Sequence, residues 1–184
     1  MNATSIQALR PNVTQQEALR KFSGAGPSAL YWRVRRGPLQ RIADVYVPYW
    51  LYRVQYNIGR AAHSTLFAMD AVNGSLDLFT FPRVPAANDL VSIHTRNRVA
   101  PSLQRSYAEA ALRQKVLRVI FQQGFFKVRD LKLEIAPEPL ELHVPYWLAF
   151  YGNAILRCRV MDAVRRRIEG AKASAFFETW LAAS

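Results

Sequence analysis

The amino-acid sequence predicts an α+β protein built from two tandem units, each made of one helix followed by three to four antiparallel strands, with a further helix at the C-terminus. Two repeated motifs predict this arrangement. The sequence Val-Pro-Tyr-Trp at Val47–Trp50 returns 97 positions later at Val144–Trp147. The sequence Met-Asp-Ala-Val occurs at Met69–Val72 and again at Met161–Val164. Because both motifs recur in the same order, we expect one structural unit to occur twice.

The first unit is predicted over residues 12–81, and the residues before it are expected to form a poorly ordered lead-in. Thr14 and Glu17 match a capping box, in which each side chain satisfies an unpaired amide at the start of a helix. Asn73-Gly74 indicates a hairpin, since a type I′ turn needs positive φ at both central residues. Aromatic and β-branched residues between turn signals predict four strands, over residues 29–34, 42–56, 63–72 and 76–81.

Residues 82–104 are predicted to connect the two units. This stretch contains three prolines and little periodicity, apart from a short apolar segment at Leu90–Ile93. It is longer than the usual connection in a compact domain, so it either packs against the body of the protein or acts as a flexible loop.

The second unit, with the C-terminal helix, is predicted over residues 105–184. Ser106 and Glu109 match a second capping box at the start of a longer helix. Alternating apolar and charged residues over Phe125–Ile135 predict a strand with one solvated face. Residues 140–151 and 155–164 should form the following strands, and Ala171–Ala183 a helix that docks through one apolar face.

Eight residues of the repeated motifs are expected to anchor the two units. Proline cannot donate to a strand ladder, so each tetrapeptide belongs at a sheet edge or a bulge, with its Tyr and Trp on opposite faces. The two aspartates, being equivalent, could share a proton or a metal. The simpler interpretation is that each fixes its hairpin through side chain to amide hydrogen bonds. The predicted anchors are Pro48, Tyr49, Trp50, Asp70, Pro145, Tyr146, Trp147 and Asp162.

A helix followed by antiparallel strands, with a Tyr- or Trp-containing strand that leads into Asp70–Gly74, resembles the small α+β units of the PepSY and cystatin-like class. The second unit departs from this pattern, because the glycine after Asp162 is delayed to Gly170. The resemblance implies a binding, inhibitory or regulatory module, and it carries no catalytic residue to any position of this chain.

The composition indicates a folded, basic protein. The chain is 51% hydrophobic and carries a formal net charge of +12, with 20 Arg against 5 Lys. The arginine excess either forms a surface suited to phosphates or carboxylates, or reflects Arg in place of Lys at solvated positions. If the units are related by a pseudo-twofold axis, two arginine clusters would flank one groove suited to nucleic acid or an acidic peptide; otherwise they are ordinary solvated turns. The candidate ligand-facing residues are Arg33, Arg35, Arg36, Arg165, Arg166 and Arg167.

Neither a catalytic site nor a cofactor or metal site is predicted. The histidines His63, His94 and His143 lack metal-ligand spacing, and His143 is expected to face outward from a strand. Cys158 is the single cysteine, which excludes an intramolecular disulfide, and alternation turns it away from its two arginine neighbours into an apolar environment. The sequence contains no nucleophile, phosphate-loop or dinucleotide motif.

These observations favour a non-catalytic intracellular binding or scaffold protein that recognises a peptide, a protein or another ligand, with self-association as a further expectation. A basic nucleic-acid-binding protein is the first alternative, and an enzyme of unrecognised type the second. The lone cysteine, a lead-in without an apolar core and the absence of any apolar run of about 18 residues predict a cytoplasmic protein without a membrane span.

Overall fold

The structure is a computed structural model that describes residues 3–24, 26–58, 60–122, 131–152 and 157–183, without the side chains of residues 28, 29, 32, 33, 36 and 58. In chain order its elements are β1 (Thr4–Leu9), α1 (Gln15–Ser23), α2 (Pro27–Arg36), β2 (Leu39–Ile58), β3 (Ala61–Asp70), β4 (Phe79–Phe81), a short 3-10 helix (Ala87–Asp89), β5 (Leu90–Thr95), α3 (Arg105–Gln122), β6 (Leu133–Tyr151), β7 (Arg157–Asp162), β8 (Arg167–Ile168) and α4 (Ala171–Ala183).

The strands form one curled sheet, which confirms the predicted α+β class. Its main path runs in the order β4-β3-β2-β6-β1-β5, while β7 pairs with both β6 and β8. The long strands β2 and β6 lie at the centre and pair antiparallel along most of their length. None of the described helices is both long enough and apolar enough to span a bilayer.

The two tetrapeptides meet in the middle of the central strand pair. Val47 lies opposite Val144, and Pro48 lies opposite His143. On the side of β2 that faces away from β6, the pairing partner changes at Pro48. Before it, Tyr46 forms a bridge with Arg98, and after it, β2 pairs with β3. The missing amide hydrogen of Pro48 therefore falls in a gap between two partners, where it removes no ladder hydrogen bond.

Helices cover both faces of the sheet. On one face, α3 buries Ala108, Leu112 and neighbouring residues against β2 and β3, and α1 buries Ala18 and Phe22 against β6 and β7. On the other face, α4 packs through Phe176 and two neighbours over the central strands. Because side chains alternate along a strand, β2 and β6 contribute apolar residues to both layers, and this explains their dense aromatic content.

Two predicted elements differ in kind from those observed. The expected lead-in contains β1, which pairs antiparallel with β5, the apolar segment of the connection, and buries Ile6 and Ala8 near Tyr46. The strand predicted over residues 29–34 is wrong, because these residues belong to α2. Pro27 occupies the first position of that helix, where its fixed φ favours a helical start, and Gly37 follows its end with a φ of 88°.

Smaller corrections concern turns and helix starts. The capping box of Thr14 and Glu17 is present, but α3 begins at Arg105, so Ser106 lies inside the first turn and does not cap it. The Asn73-Gly74 turn is not type I′, since only Gly74 has a positive φ there. The strand predicted after this turn is correspondingly shorter and begins at Phe79. Of the strand predicted over residues 125–135, residues 125–130 lie outside the described part of the chain.

Candidate functional site: a basic cleft beside the second Asp loop

The first Met-Asp-Ala-Val motif leads into a loop, residues 70–76, which we name the first Asp loop. Asp70 is fully buried, and its Oδ1 accepts hydrogen bonds from the amides of Val72 at 3.2 Å, Asn73 at 3.0 Å and Gly74 at 2.9 Å. Its Oδ2 accepts the amide of Leu76 at 2.8 Å. Four backbone amides therefore converge on one carboxylate, and both of its oxygens are used.

The second motif leads into residues 162–169, the second Asp loop, where the carboxylate is only partly used. Asp162 Oδ1 accepts the amides of Val164 and Arg165, both at 2.8 Å. Its Oδ2 is buried and has no hydrogen-bond partner among the described residues, although Arg165 Nη1 lies 3.8 Å away. Burial raises the pKa of Asp162, and the amides and the guanidinium of Arg165 partly oppose this effect.

A buried tyrosine pair joins the two tetrapeptides close to these loops. The hydroxyls of Tyr49 and Tyr146 lie 2.8 Å apart, and each ring is almost completely buried. Loss of hydration raises the pKa of both hydroxyls far above the ordinary range, so both remain neutral and share one hydrogen bond. The backbone oxygens of Pro48 and Pro145 also accept amides from the loops, those of Ala71 and Ala163 respectively.

The three consecutive arginines of the second Asp loop point in different directions. The Arg165 guanidinium lies 3.7 Å from the ring centre of Phe79 and donates to the backbone oxygen of Leu78, so it joins the second Asp loop to the chain that follows the first. Arg166, with a φ of 60°, turns toward Glu17 on α1. Arg167 forms ion pairs with Asp77 at 2.7 Å and with Glu169 at 2.8 Å.

Arg165 and Arg167 line a cleft between α3, the chain that follows the first Asp loop, and the start of α4. Its larger cavity has a volume of about 500 Å³ and its smaller one about 200 Å³. The two cavities share Asp77, Arg165 and Lys172. We name this surface the basic cleft and define it by its charged residues, which are Asp77, Lys115, Arg118, Arg165, Arg167, Glu169 and Lys172.

The positive charges of the basic cleft lie close enough to perturb one another. Desolvation lowers the pKa of Lys115, with Lys172 and Arg118 adding to the effect and with Asp70 and Asp77 opposing it. The Lys115 ammonium donates to the backbone oxygen of Leu76. The N-terminus of α4 adds the positive end of a helix dipole beside Lys172. An anion that enters this space would relieve the repulsion among these groups.

The predicted arginine clusters do not converge on one groove through the side chains that the structure describes. Arg35 donates to the Tyr31 hydroxyl on its own helix and lines neither cavity of the basic cleft. The side chains of Arg33 and Arg36 lie outside the described part of the protein. Sequence reasoning named Arg165 and Arg167 but missed three cations of the cleft, because each is a single charge on a helix: Lys115, Arg118 and Lys172.

The remaining candidate residues are mostly buried in the body of the protein. The prediction that His143 faces outward is wrong. Its side chain is only 5% exposed, because β1 lies against β6 at this position. Neither ring nitrogen has a partner in hydrogen-bonding geometry among the residues that the structure describes. Burial lowers the pKa of His143, opposed by Glu141 and the nearby backbone of Gln7. Burial also raises the pKa of the Cys158 thiol to about 12, so this cysteine is a poor nucleophile.

The tryptophans of the two tetrapeptides are half-buried on the face that carries α1 and α3. Trp147 donates to the backbone oxygen of Val13 at 3.1 Å, while the guanidinium of Arg105 lies 5.5 Å from the ring centre of Trp50. Both side chains hold a helix start against the sheet, one at α1 and the other at α3.

Comparison of the chain with models of known protein families, with curated proteins and with solved structures gives no match in any of the three. Within the described residues, no group of three or more His, Cys, Asp and Glu side chains is arranged to hold a metal ion. The chemistry of the site therefore rests on the geometry of the basic cleft.

Proposed function

We propose that this protein is a non-catalytic intracellular binding protein that holds an anionic ligand in the basic cleft. One observation carries the proposal: five cationic side chains from three separate segments, against two acidic ones, line a pair of cavities that share three lining residues. Like charges that are brought together repel one another, so such a cluster costs stability unless a ligand of opposite charge uses it.

The distribution of ion pairs within the cleft leaves several of its cations available to an anion. Both acids, Asp77 and Glu169, are already paired with Arg167. None of the other three cations that approach from the helices forms an ion pair with a described residue; these are Lys115, Arg118 and Lys172. Charge-assisted hydrogen bonds to such groups are about twice as strong as neutral ones, so a phosphate or carboxylate would gain considerably here.

Two related α+β units, as in the PepSY and cystatin-like class, are part of the same proposal. The tyrosine pair and the two loop contacts to Pro48 and Pro145 join residues at matching places of the repeated motifs. The helix α3 buries Ala108 and Leu112 against the sheet, much as α1 buries Ala18 and Phe22. In this interpretation one unit kept a closed loop, and the other acquired the arginines of the cleft.

A nucleic acid is the second candidate for the ligand. The net charge of +12 favours it, since phosphate backbones bind basic surfaces without a sequence motif. We place it second because no described residue that lines the larger cavity is aromatic, whereas single-stranded nucleic acids commonly stack their bases on aromatic rings.

Calorimetric titration with tripolyphosphate and with an oligoglutamate peptide, both at low salt, tests the proposed function. A variant with Lys115→Gln, Arg118→Gln and Lys172→Gln should weaken binding of at least one of them about a hundredfold or more, given about tenfold for each lost charged contact. The matched control is Arg20→Gln, Arg113→Gln and Arg166→Gln, which removes the same charge from exposed positions outside the cleft. Equal losses in the two variants, or no binding of either anion, would overturn the proposal.

A further inference from the structure

We infer that the basic cleft is built for a small, non-aromatic ligand that carries two phosphoryl groups, one in each of its two neighbouring cavities. This inference rests on the proposed function, and it names the chemical class of the ligand. Four features of the cleft support it: its division into two cavities, the groups around the smaller cavity, the charge balance and the lining of the larger cavity.

The division of the cleft indicates a ligand with two anionic groups a short distance apart. Arg165 and Lys172, together with Asp77, line both the smaller and the larger cavity, so they mark the boundary between the two. Arg118 and Lys115 line the larger cavity alone, and Glu169 and Gly170 the smaller one alone. A ligand that bridges the shared pair would place one charged group on each side of it.

The groups around the smaller cavity fit a phosphoryl group better than a carboxylate. The first turn of α4, a guanidinium and an ammonium approach this cavity from different elements, at Ala173, Arg165 and Lys172. Its two acids, Asp77 and Glu169, are both paired with Arg167. A phosphoryl group presents three oxygens in different directions, while a carboxylate presents two in one plane. Free amides at the N-terminus of a helix, combined with an arginine fork and a lysine point charge, are a common arrangement for phosphate.

The charge balance of the cleft calls for more than one phosphoryl group. Five cations and two acids line the two cavities together, an excess of three positive charges among the lining residues, counted before the 3.8 Å pairing of Arg165 with the buried Asp162. A phosphoryl group carries about −1.5 to −2 charges at neutral pH, so two of them supply about −3 to −4. One phosphate offsets only part of the excess among the lining residues, whereas two linked phosphates offset all of it.

The lining of the larger cavity limits what else the ligand can contain. Its apolar surface comes from Leu78 and Val119, and its lining, as far as the structure describes it, includes no aromatic side chain. A nucleobase would find no stacking platform there. The part of the ligand that joins the phosphoryl groups is therefore small and polar, and pyrophosphate is the simplest probe of the class.

Calorimetric titration of the full chain with orthophosphate, sulfate and pyrophosphate at neutral pH tests the inference. Pyrophosphate should bind at least tenfold more tightly than either single anion, because it engages both cavities. Arg118→Gln should remove most of this advantage while orthophosphate affinity stays within about twofold. Arg113→Gln, on the same helix and equally exposed, is the matched control and should change neither affinity.

The outcomes separate this inference from the proposed function. If pyrophosphate binds no more tightly than orthophosphate, while oligoglutamate still binds in a manner that depends on Lys115, Arg118 and Lys172, the two-phosphate ligand is wrong and the anion-binding function stands. If no anion binds to a variant-sensitive site, both are wrong. Circular dichroism and thermal melting of each variant establish that a lost affinity reflects the cleft and not unfolding; Arg118 and Arg113 are exposed, so both variants should melt like the parent protein.

Discussion

The two Asp loops begin with the same four residues and end in different chemistry. In the first loop, four amides surround Asp70, and one of them belongs to Gly74, which has a φ of 66°. In the second loop, two amides bind Asp162, one oxygen is left without a hydrogen bond among the described residues, and the left-handed position is taken by Arg166. Both oxygens of Asp70 accept amides, and these hydrogen bonds fix the first loop. Only one oxygen of Asp162 does so, and the neighbouring Arg165 is left to interact with another group.

The different paths of the chain explain this contrast. After Asp162 the chain re-enters the sheet as β8, where Ile168 pairs with Met161 and Arg167 with Asp162. The first loop does not re-enter the sheet until Phe79, so its amides turn inward to Asp70 instead. Strand pairing in the second loop thus replaces two of the carboxylate contacts and directs Arg165 and Arg167 into the basic cleft.

The two loops should differ most in the loss of unfolding free energy when their aspartates are replaced by asparagine. Asp70→Asn replaces one carboxylate oxygen with an NH2 group that faces a backbone amide, so a buried donor is left unpaired. This change should lower the free energy of unfolding by about 3–4 kcal/mol. Asp162→Asn can keep its two amide contacts, and should cost about 1 kcal/mol or less. Urea denaturation of the two variants measures both values. Equal losses would show that the loops are equivalent in energy, contrary to their hydrogen bonding.

An intermediate effect is expected where the two tetrapeptides touch. Tyr49→Phe and Tyr146→Phe each leave the other hydroxyl buried without its partner, and should each lower the free energy of unfolding by about 1–2 kcal/mol. The double variant removes both hydroxyls and should cost less than the sum of the two single changes. Strict additivity in thermal or urea denaturation would mean that the 2.8 Å contact contributes nothing.

The smallest expected effect is a dependence on pH. The raised pKa of Asp162 means that the folded protein binds this proton more tightly than the unfolded chain, for which the value is 3.8. The stability from this group is therefore complete below 3.8 and is lost as pH rises through the folded pKa. Asp162→Asn removes that loss, so its free energy of unfolding should improve relative to the parent protein as pH rises from acid to neutral. The opposite trend would mean that the carboxylate is stabilised in its ionised form.

Much of the local structure could be predicted from the sequence, because short-range signals determine it. The capping box of Thr14 and Glu17 is present, and the strands that carry the repeated motifs lie close to their expected positions. The strand β1 could not be found in this way, since its order depends on pairing with β5, far away in the chain. The helix α2 was missed because aromatic and β-branched residues outweighed the start signal of Pro27.

The basic cleft illustrates what the sequence leaves open. Three adjacent arginines were recognised as a cluster, but the turn at Arg166 decides which of them enter the cleft, and it sends Arg166 itself to Glu17. Lys115 and Arg118 are single charges on α3, and Lys172 is a single charge on α4. Their convergence depends on how both helices pack against opposite faces of the sheet, which no local pattern records.

The comparison of two neighbouring arginines tests the central claim most directly. Pyrophosphate is titrated into Arg165→Gln and Arg166→Gln, and thermal melting verifies the fold of each variant. The two variants lose the same charge, and they differ only in whether the lost arginine lines the basic cleft. The account predicts a loss of at least tenfold in affinity for Arg165→Gln and a change within about twofold for Arg166→Gln. Equal losses in the two folded variants would contradict it, since the anion would then respond to net charge and not to the basic cleft.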